Sequence, residues 1–449
     1  MTDVGASLST AGQPVLDIHT DPDSTASAGT GGGQHDQAEK KKKYQFRYTT
    51  LQGYFLQDDL RTKAAEFDFM KTNFGLIQRP YDSDETLPDR GQGMTAWQRF
   101  EHHITSLNDA AGRKRHGTGG NVITQYKLLF LARHGNGYHN IAERYYGGEA
   151  WDCYYSMLDG DPDGVTSWSD AHLSKEGRRQ AKEVNDFWRS QLAEQKMSLP
   201  QSYYVSPLDR ALETAEITFD GLLPFFNPTV IERLREGTGI HTCDRRSVVS
   251  YIRQRYPDYI VTRDPFLTET DQFWDAELRE TDDALAIRLG KLLDQVMVDE
   301  IGERISFTSH SGAIGAILHV LGHRQFSLGT GAVIPVFVRV DKVAVDADGR
   351  DRLSRRHGGK AEGGKPAQSQ TSDNVEKNEE YDDNQPFPPK PDLEEEDDKS
   401  SWQPKPPCPP GLDLANVGLK RWGLSLKDFL TGVENGTVKL EEVAFRYAA

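Results

Sequence analysis

Two histidines and two arginines are the residues best placed for chemistry, each lying where a stretch read as a strand gives way to a turn or a helix start. Arg133-His134-Gly135 follows the apolar run 126–132, Arg210 comes just after the run 203–205 and Ser206-Pro207, and His310 follows the run 304–309. A neutral imidazole is a nucleophile, and histidine's ordinary pKa of about 6.5 keeps it available near neutrality. A guanidinium group matches phosphate oxygens two at a time. Two arginines and two histidines brought to one crevice therefore describe a phosphate site with a nucleophile inside it. The triplet Arg-His-Gly occurs twice more. Arg115-His116-Gly117 lies in a basic, glycine-rich stretch read as a loop, and Arg356-His357-Gly358 in a stretch read as a linker. Only the copy at 133–135 has a buried strand directly before it, so the other two are taken as chance.

What must position these residues is a set of strands ending at one edge. The runs 126–132, 203–205, 304–309 and 333–340 read as strands, the first because it is a short continuous apolar stretch. Helices are expected at 97–107, 173–194, 208–217, 282–300 and 312–321. Strands alternating with helices predict an α/β fold with a mostly parallel central sheet. Open sheets of that kind bind ligands at the carboxyl ends of their strands. Arg210 falls in the first turn of a helix, where free N–H groups favour anions.

The 449 residues allow two or three domains, or one large domain with tails. Hydrophobic residues make up 36%, a diluted content that points to long disordered segments beside a globular part. Five segments are expected. They are a disordered tail at 1–43, an N-terminal extension at 44–121 packed on the core, a catalytic domain at 122–345, a disordered acidic, proline-containing linker at 346–408, and a segment at 409–449 that returns to the core as a helix and a terminal strand. Between residues 373 and 399, 12 acids against three lysines supply -9 of the net charge of -16. Such a stretch buries too little apolar surface to offset its ordering entropy, and is a candidate contact for a protein partner. A pI near 5.3 argues against nucleic-acid binding. No run approaches ~18 apolar residues, so no membrane span is expected. Residues 1–33 lack the basic and apolar regions of a secretory signal. Cys153, Cys243 and Cys408 are odd in number and not in a metal spacing. They argue against a disulfide scaffold and fit a reducing compartment, hence the cytoplasm, with the short lysine run at 40–43 a weak nuclear signal.

These motifs resemble the histidine phosphatase superfamily, the phosphoglycerate-mutase-like fold. Arg133-His134-Gly135 matches the family's triplet after its first strand, and Ser206-Pro207-Leu208-Asp209-Arg210-Ala211-Leu212-Glu213-Thr214-Ala215 matches its second motif. Thr308-Ser309-His310-Ser311-Gly312 carries the second histidine, and Leu173-Ser174-Lys175-Glu176-Gly177 matches a helix start. The finer likeness is to the fungal and plant phosphomutase-like phosphatases. It runs through Arg133-His134-Gly135-Asn136-Gly137-Tyr138-His139-Asn140 and the segment from Leu234 to Arg246. About half the chain is covered; the first 120 residues and the acidic linker fall outside.

The resemblance implies a three-layer α/β/α sandwich and hydrolysis of a small phosphorylated metabolite through a phosphohistidine. In it His134 is the nucleophile, while Arg133, Arg210 and His310 hold the phosphoryl oxygens. Asn140 adds a hydrogen bond to the phosphate or to His134. Glu236 protonates the leaving oxygen and then activates water. Glu232 is a nearby rival for that role, with a solvated helix-end carboxylate as its plainer reading. No metal or organic cofactor is implied, because the arginines and histidines supply the charge. His139, His241, Cys243, Asp244 and Arg246 raise a metal reading, set aside because no second Cys/His pair lies at ligand spacing. That segment is expected beside the site, with Arg245 or Arg246 paired to Asp244 or touching substrate. A phosphoglycerate-type phosphomutase is the first alternative, weakened because Tyr138-His139-Asn140 stands where family mutases have Ser/Thr and then Trp-Asn. A non-catalytic scaffold that keeps the fold is the second, weakened because every catalytic position is filled.

Overall fold

The computed structural model describes residues 43–118, 122–345 and 399–439. The tail expected before β1, most of the acidic linker, the third Arg-His-Gly triplet and the expected terminal strand lie outside the described residues.

Six strands form the central sheet, in the order β1-β7-β2-β6-β3-β4. They are β1 (Lys43–Thr50), β2 (Val122–Arg133), β3 (Ser202–Val205), β4 (Thr229–Val230), β6 (Arg304–Ser309) and β7 (Val333–Val345). β2, β6, β3 and β4 run parallel, and β7 lies antiparallel between β1 and β2. A small second sheet pairs β5 (Leu278–Arg279) with β8 (Gln403–Pro404). Alternation along β2 sends its side chains to both faces. Leu129 and Leu131 pack with α7 (Asp282–Asp299) and α8 (Ser311–Val320) through Leu289, Leu293, Ile314 and Ile317. Leu128 and Phe130 pack on the other face with α1 (Ala96–Thr118) and α4 (Lys175–Ser190) through Trp97, Phe100, Val184 and Trp188. The fold is therefore α/β with three layers around a mostly parallel sheet.

Two elements differ from the sequence reading. α1 runs on to Thr118, through the stretch read as a loop, so Arg115-His116-Gly117 is helical. Gly112 and Gly117 each cost a helix only about 1 kcal/mol, and the alanine, lysine and arginine residues around them are strong helix formers. The stretch at 44–121 also does more than pack on the core, because β1 is itself a strand of the central sheet.

The C-terminal return begins before residue 409. Trp402 is buried, β8 pairs with β5, and Cys408 is bonded to Cys153 of α3 (Gly148–Cys153). Beyond it, α9 (Val417–Trp422) and α10 (Leu426–Glu434) pack Phe429 and Leu430 against Ile141 and Tyr145 of α2 (Tyr138–Tyr146) and Trp151 of α3. The reading of the cysteines as arguing against disulfides is thus corrected: Cys153 and Cys408 form one bond, and Cys243 is free and buried. Spacing could not reveal a pair 255 residues apart. Cysteine usage then no longer argues for a reducing compartment. No described helix is long and apolar enough to cross a membrane.

In denaturant without reductant, titration should find one thiol per chain, rising to three after reduction. Cys153→Ser should lower stability by about 2–4 kcal/mol, read as a fall in Tm. Three reactive thiols before reduction would disprove the bond.

Candidate active site

Three strand ends build the site. The pairings Arg133↔Ser309 and Val205↔Thr308 bring β2, β6 and β3 to a common level. The residues that follow are then neighbours: His134 N–H donates to Ser309 O and Ser206 N–H to Thr308 O, each at 3.0 Å. The His134 and His310 ring centroids are 5.0 Å apart, and His310 Nε2 lies 2.6 Å from Ser206 Oγ. β3 turns at Pro207 into α5 (Asp209–Phe219), which carries Arg210 in its first turn.

The loop after β2 is pressed against the start of α4. A Cβ on Gly135 would lie 2.4 Å from Gly177 O, and one on Gly177 would lie 2.1 Å from Asn136 O. Two backbones touch there, so both positions need glycine. Ser174 Oγ accepts the Gly177 N–H at 3.1 Å, capping α4, and donates to Asn136 O at 3.0 Å. Thr214 Oγ1 accepts the Gly135 N–H at 3.0 Å. Ser174, Gly177 and Thr214 therefore act by placing His134.

The partners of His134 fix its tautomer. Arg210 Nε–H can only donate, and it reaches His134 Nε2 at 3.3 Å. Nε2 therefore carries a lone pair and Nδ1 the proton, which is donated to Gly135 O at 2.7 Å. Burial, with Arg210 and Arg133 beside it, holds this imidazole well below its ordinary pKa, so it stays neutral. Arg210 is itself anchored, Nη1 to Cys243 O at 2.6 Å and Nη2 to Asp244 Oδ1 at 2.9 Å. Arg133 Nη1 donates to Leu328 O at 2.7 Å. His310 is also held well below its ordinary value, by burial and Arg210, and its buried Nδ1 has no hydrogen-bond partner among the described residues.

A cavity of about 260 Å³ opens beside His134. Of the residues expected there, Arg133, His134, Asn140, Arg210 and Glu236 line it; His310 is fully buried against His134 and does not. Glu236 closes the N-terminus of α8, accepting the N–H groups of Gly312 and Ala313 at 3.0 Å each. Asn140 Oδ1 accepts the Gly137 N–H at 3.0 Å at the start of α2. Glu143, Trp151, Asp152 and Arg279 also line the cavity and were missed. Helical spacing from His139 and Asn140 would have found Glu143, one turn on along the same face. Burial, with Asp152 adding to it, pushes the Glu143 carboxyl up to about 7. No local signal marks Asp152 or Arg279.

Three further expectations are corrected. Glu232 is not solvated: it is fully buried between Arg235 and Arg246, at 2.6 Å from each. Arg246 therefore serves Glu232, and Arg245 pairs with Asp159 at 2.6 Å. Asp244 instead holds Arg210 and Arg279, at 2.9 and 3.1 Å. His241, Cys243 and Asp244 do offer ligand atoms within 4.8 Å of one another. Both Asp244 oxygens already face guanidinium groups, which a metal ion would have to displace, so this set does not fit a metal.

A three-layer α/β domain with histidines and arginines clustered where its parallel strands end is the class defined here. A family model described as histidine phosphatase superfamily (branch 1) matches residues 161–332. The chain is 49% identical to a protein of Arthroderma benhamiae named as a probable phosphoglycerate mutase, over 66% of this chain and 84% of that one. It is 30% identical to phosphomutase-like protein 3 of Candida albicans, over 67% and 82% of the two chains. A probable phosphoglycerate mutase of Saccharomyces cerevisiae is 35% identical over 62% of this chain and 94% of its own. The chain belongs to the histidine phosphatase superfamily.

Gly177→Ala should destabilise the fold by about 1–3 kcal/mol, because the new methyl group must push Asn136 away. An unchanged Tm would sever the link between this helix start and the His134 loop. A second outcome concerns His139, which burial, with Arg210 next, holds well below its ordinary pKa. It stays neutral when folded and takes a proton near pH 6.5 when unfolded, so its contribution is present above that pH and lost as pH falls below it. His139→Asn should therefore lose less stability than wild type between pH 6.5 and 5.5, by up to about 1 kcal/mol. Equal acid slopes in denaturant titrations would refute the shift.

Proposed function

We propose that the chain hydrolyses the phosphate monoester of a small metabolite through a phosphohistidine on His134. The observation that carries this reading is the lone pair on His134 Nε2, on a neutral buried imidazole facing a cavity shared with Arg133 and Arg210. Nε2 attacks phosphorus and the bond from phosphorus to the leaving oxygen breaks, with Glu236 giving that oxygen its proton. Water then attacks the phosphohistidine and its proton goes to Glu236. The P–N bond breaks, and inorganic phosphate leaves. Arg133 and Arg210 hold the equatorial oxygens and stabilise the charge that spreads over them, while His310, buried against His134, backs the ring from below the cavity. Asn140 adds its amide as a donor. These groups supply the positive charge themselves, so the reaction needs no metal or organic cofactor. The anchoring of Arg210 and His134 by protein partners supports this reading, since their ordering is complete before substrate arrives. The cavity is smaller than the roughly 300–1,000 Å³ of drug-sized sites, which suits a small metabolite.

The relatives named as probable phosphoglycerate mutases favour a second reading, return of the phosphoryl group from His134 to another hydroxyl of the same metabolite. With p-nitrophenyl phosphate and EDTA, His134→Ala should lose turnover on the order of a thousand-fold or more. Alkaline quench should trap labelled phosphohistidine in wild type alone. Turnover that survives in the variant would end the His134 mechanism. Conversion of 3-phosphoglycerate to its 2-isomer faster than release of inorganic phosphate would make the chain a mutase.

A further inference from the structure

Arg279 lines the cavity with only one of its guanidinium nitrogens engaged. Nη1 donates to Gly239 O at 2.8 Å and to Asp244 Oδ2 at 3.1 Å, while Nε and Nη2 have no partner among the described residues. Neither of those two nitrogens is sealed inside the protein, and the side chain keeps 28% of its surface exposed. Nε–H and Nη2–H point the same way, along the edge of a guanidinium that matches the two oxygens of a carboxylate or phosphate. The same edge holds carboxylates elsewhere in this chain. Arg288 Nε and Nη2 grip Glu280 at 2.8 and 2.7 Å, and Arg178 grips Glu213 likewise at 2.7 and 3.3 Å. In Arg279 that edge is open. Its place is fixed from two sides. Asp244 bridges Arg279 to Arg210, so a single carboxylate separates the two guanidinium groups. A Cβ on Gly237 would lie 3.7 Å from Arg279 Nη2, so the open edge begins beside the residue that follows Glu236. Carboxyl groups nearby are otherwise occupied or only partly charged. Glu236 accepts the N–H groups of Gly237, Gly312 and Ala313 at 3.0 Å each, and Glu280 is held by Arg288. Burial pushes Glu143 up to about 7. Asp152 feels the charge of Arg279, but no ion pair joins the two among the described residues.

We propose that the open edge of Arg279 receives a second acidic group on the leaving part of the substrate, a carboxylate or a second phosphate a few bonds from the ester oxygen. The inference rests on the phosphatase reading above and names its substrate class. By that reading the phosphoryl group lies with Arg133 and Arg210, and the leaving oxygen with Glu236. Arg279 Nη2 stands next to the Glu236-Gly237 backbone, on the side toward which the rest of the leaving group extends. Two charge-assisted N–H bonds from one planar edge supply orientation as well as attraction. A cavity of about 260 Å³ leaves room for a short carbon skeleton between the two arginines. Arg279 is thus a specificity-determining residue, placed by β5 and held by Asp244 at a fixed remove from Arg210.

Glycerol 3-phosphate and 3-phosphoglycerate form a matched pair, since they differ by a hydroxymethyl group against a carboxylate. Glycerol 1,3-bisphosphate adds a phosphate to that hydroxymethyl group. Consumption of each ester, by phosphate release or by isomerisation, gives kcat/KM, with p-nitrophenyl phosphate as a reference for His134 chemistry. Wild type should favour at least one of the two acidic esters over glycerol 3-phosphate by about tenfold or more. The one favoured more tells carboxylate from phosphate. Arg279→Lys keeps a positive charge but loses the two-donor edge, and Arg279→Gln loses both. In each the preference should fall to about threefold or less, chiefly through KM for the acidic ester. Losses common to all esters, from a disturbed Asp244 and Arg210, cancel in the ratio, and Tm is checked for each variant. If p-nitrophenyl phosphate is hydrolysed through His134 but glycerol 3-phosphate is consumed as well as either acidic ester, the inference fails alone. It fails equally if the preference survives unchanged in both variants. No turnover of any ester, and no phosphohistidine, would overturn the phosphatase reading and the inference with it. The wild-type ratio decides the substrate class even if neither variant folds.

Discussion

A buried guanidinium needs a counter-charge, and in this chain Arg210 has Asp244 at 2.9 Å. Much else in the site follows from that requirement. Asp244 is shared with Arg279, so one negative charge faces two positive ones, and the pair keeps an excess of positive charge. That excess sits against His134 Nε2, where it disfavours a proton on the ring and favours an anion beside it. The same interaction thus keeps the His134 imidazole neutral and leaves positive charge facing the cavity beside it. A leaner arrangement, with Arg210 unpaired, would leave an uncompensated buried charge costing several kcal/mol.

The sheet makes this contact possible. β2, β6 and β3 end level, so residues far apart in sequence emerge side by side, and each strand hands its chain to a loop or helix start at the same edge. α8 begins directly after His310, and its free N–H groups are taken by Glu236. α4 begins at Ser174, and its first turn bears on the His134 loop. Helix starts are used here as fixing points for the site: free N–H groups that any fold must satisfy are satisfied by residues that also define the cavity.

The clustering of Arg133, His134, Arg210 and His310 was legible in the sequence because its parts are local. Each of Arg133, His134, Arg210 and His310 ends or directly follows a strand or lies in the first turn of a helix, and apolar runs such as 126–132 announce such boundaries without tertiary information. Periodicity found α7 nearly to the residue, because a long helix buries one stripe of side chains. It missed α2, whose nine residues mix aromatic, charged and amide side chains with five of them buried. Buried polar pairs were also out of reach. Nothing local tells that Glu232 lies between Arg235 and Arg246 rather than in solvent, since that depends on a loop arriving from Asp271.

The rest of the cavity lining was illegible for a related reason. Its residues come from α2, α3, β5 and the start of α7, and nothing in the chain between them fixes their separation. The segment at 399–408 does. β8 pairs with β5, which carries Arg279, and Cys408 is bonded to α3, which carries Trp151 and Asp152. Two sides of the lining are therefore tied to one short piece of chain beyond the acidic linker. A phosphate site can be written into short motifs because every phosphoryl group presents the same oxygens. The rest of the lining has no such constant to match, so its residues sit wherever long-range packing brings them, and the covalent tie stands where local sequence cannot supply the order.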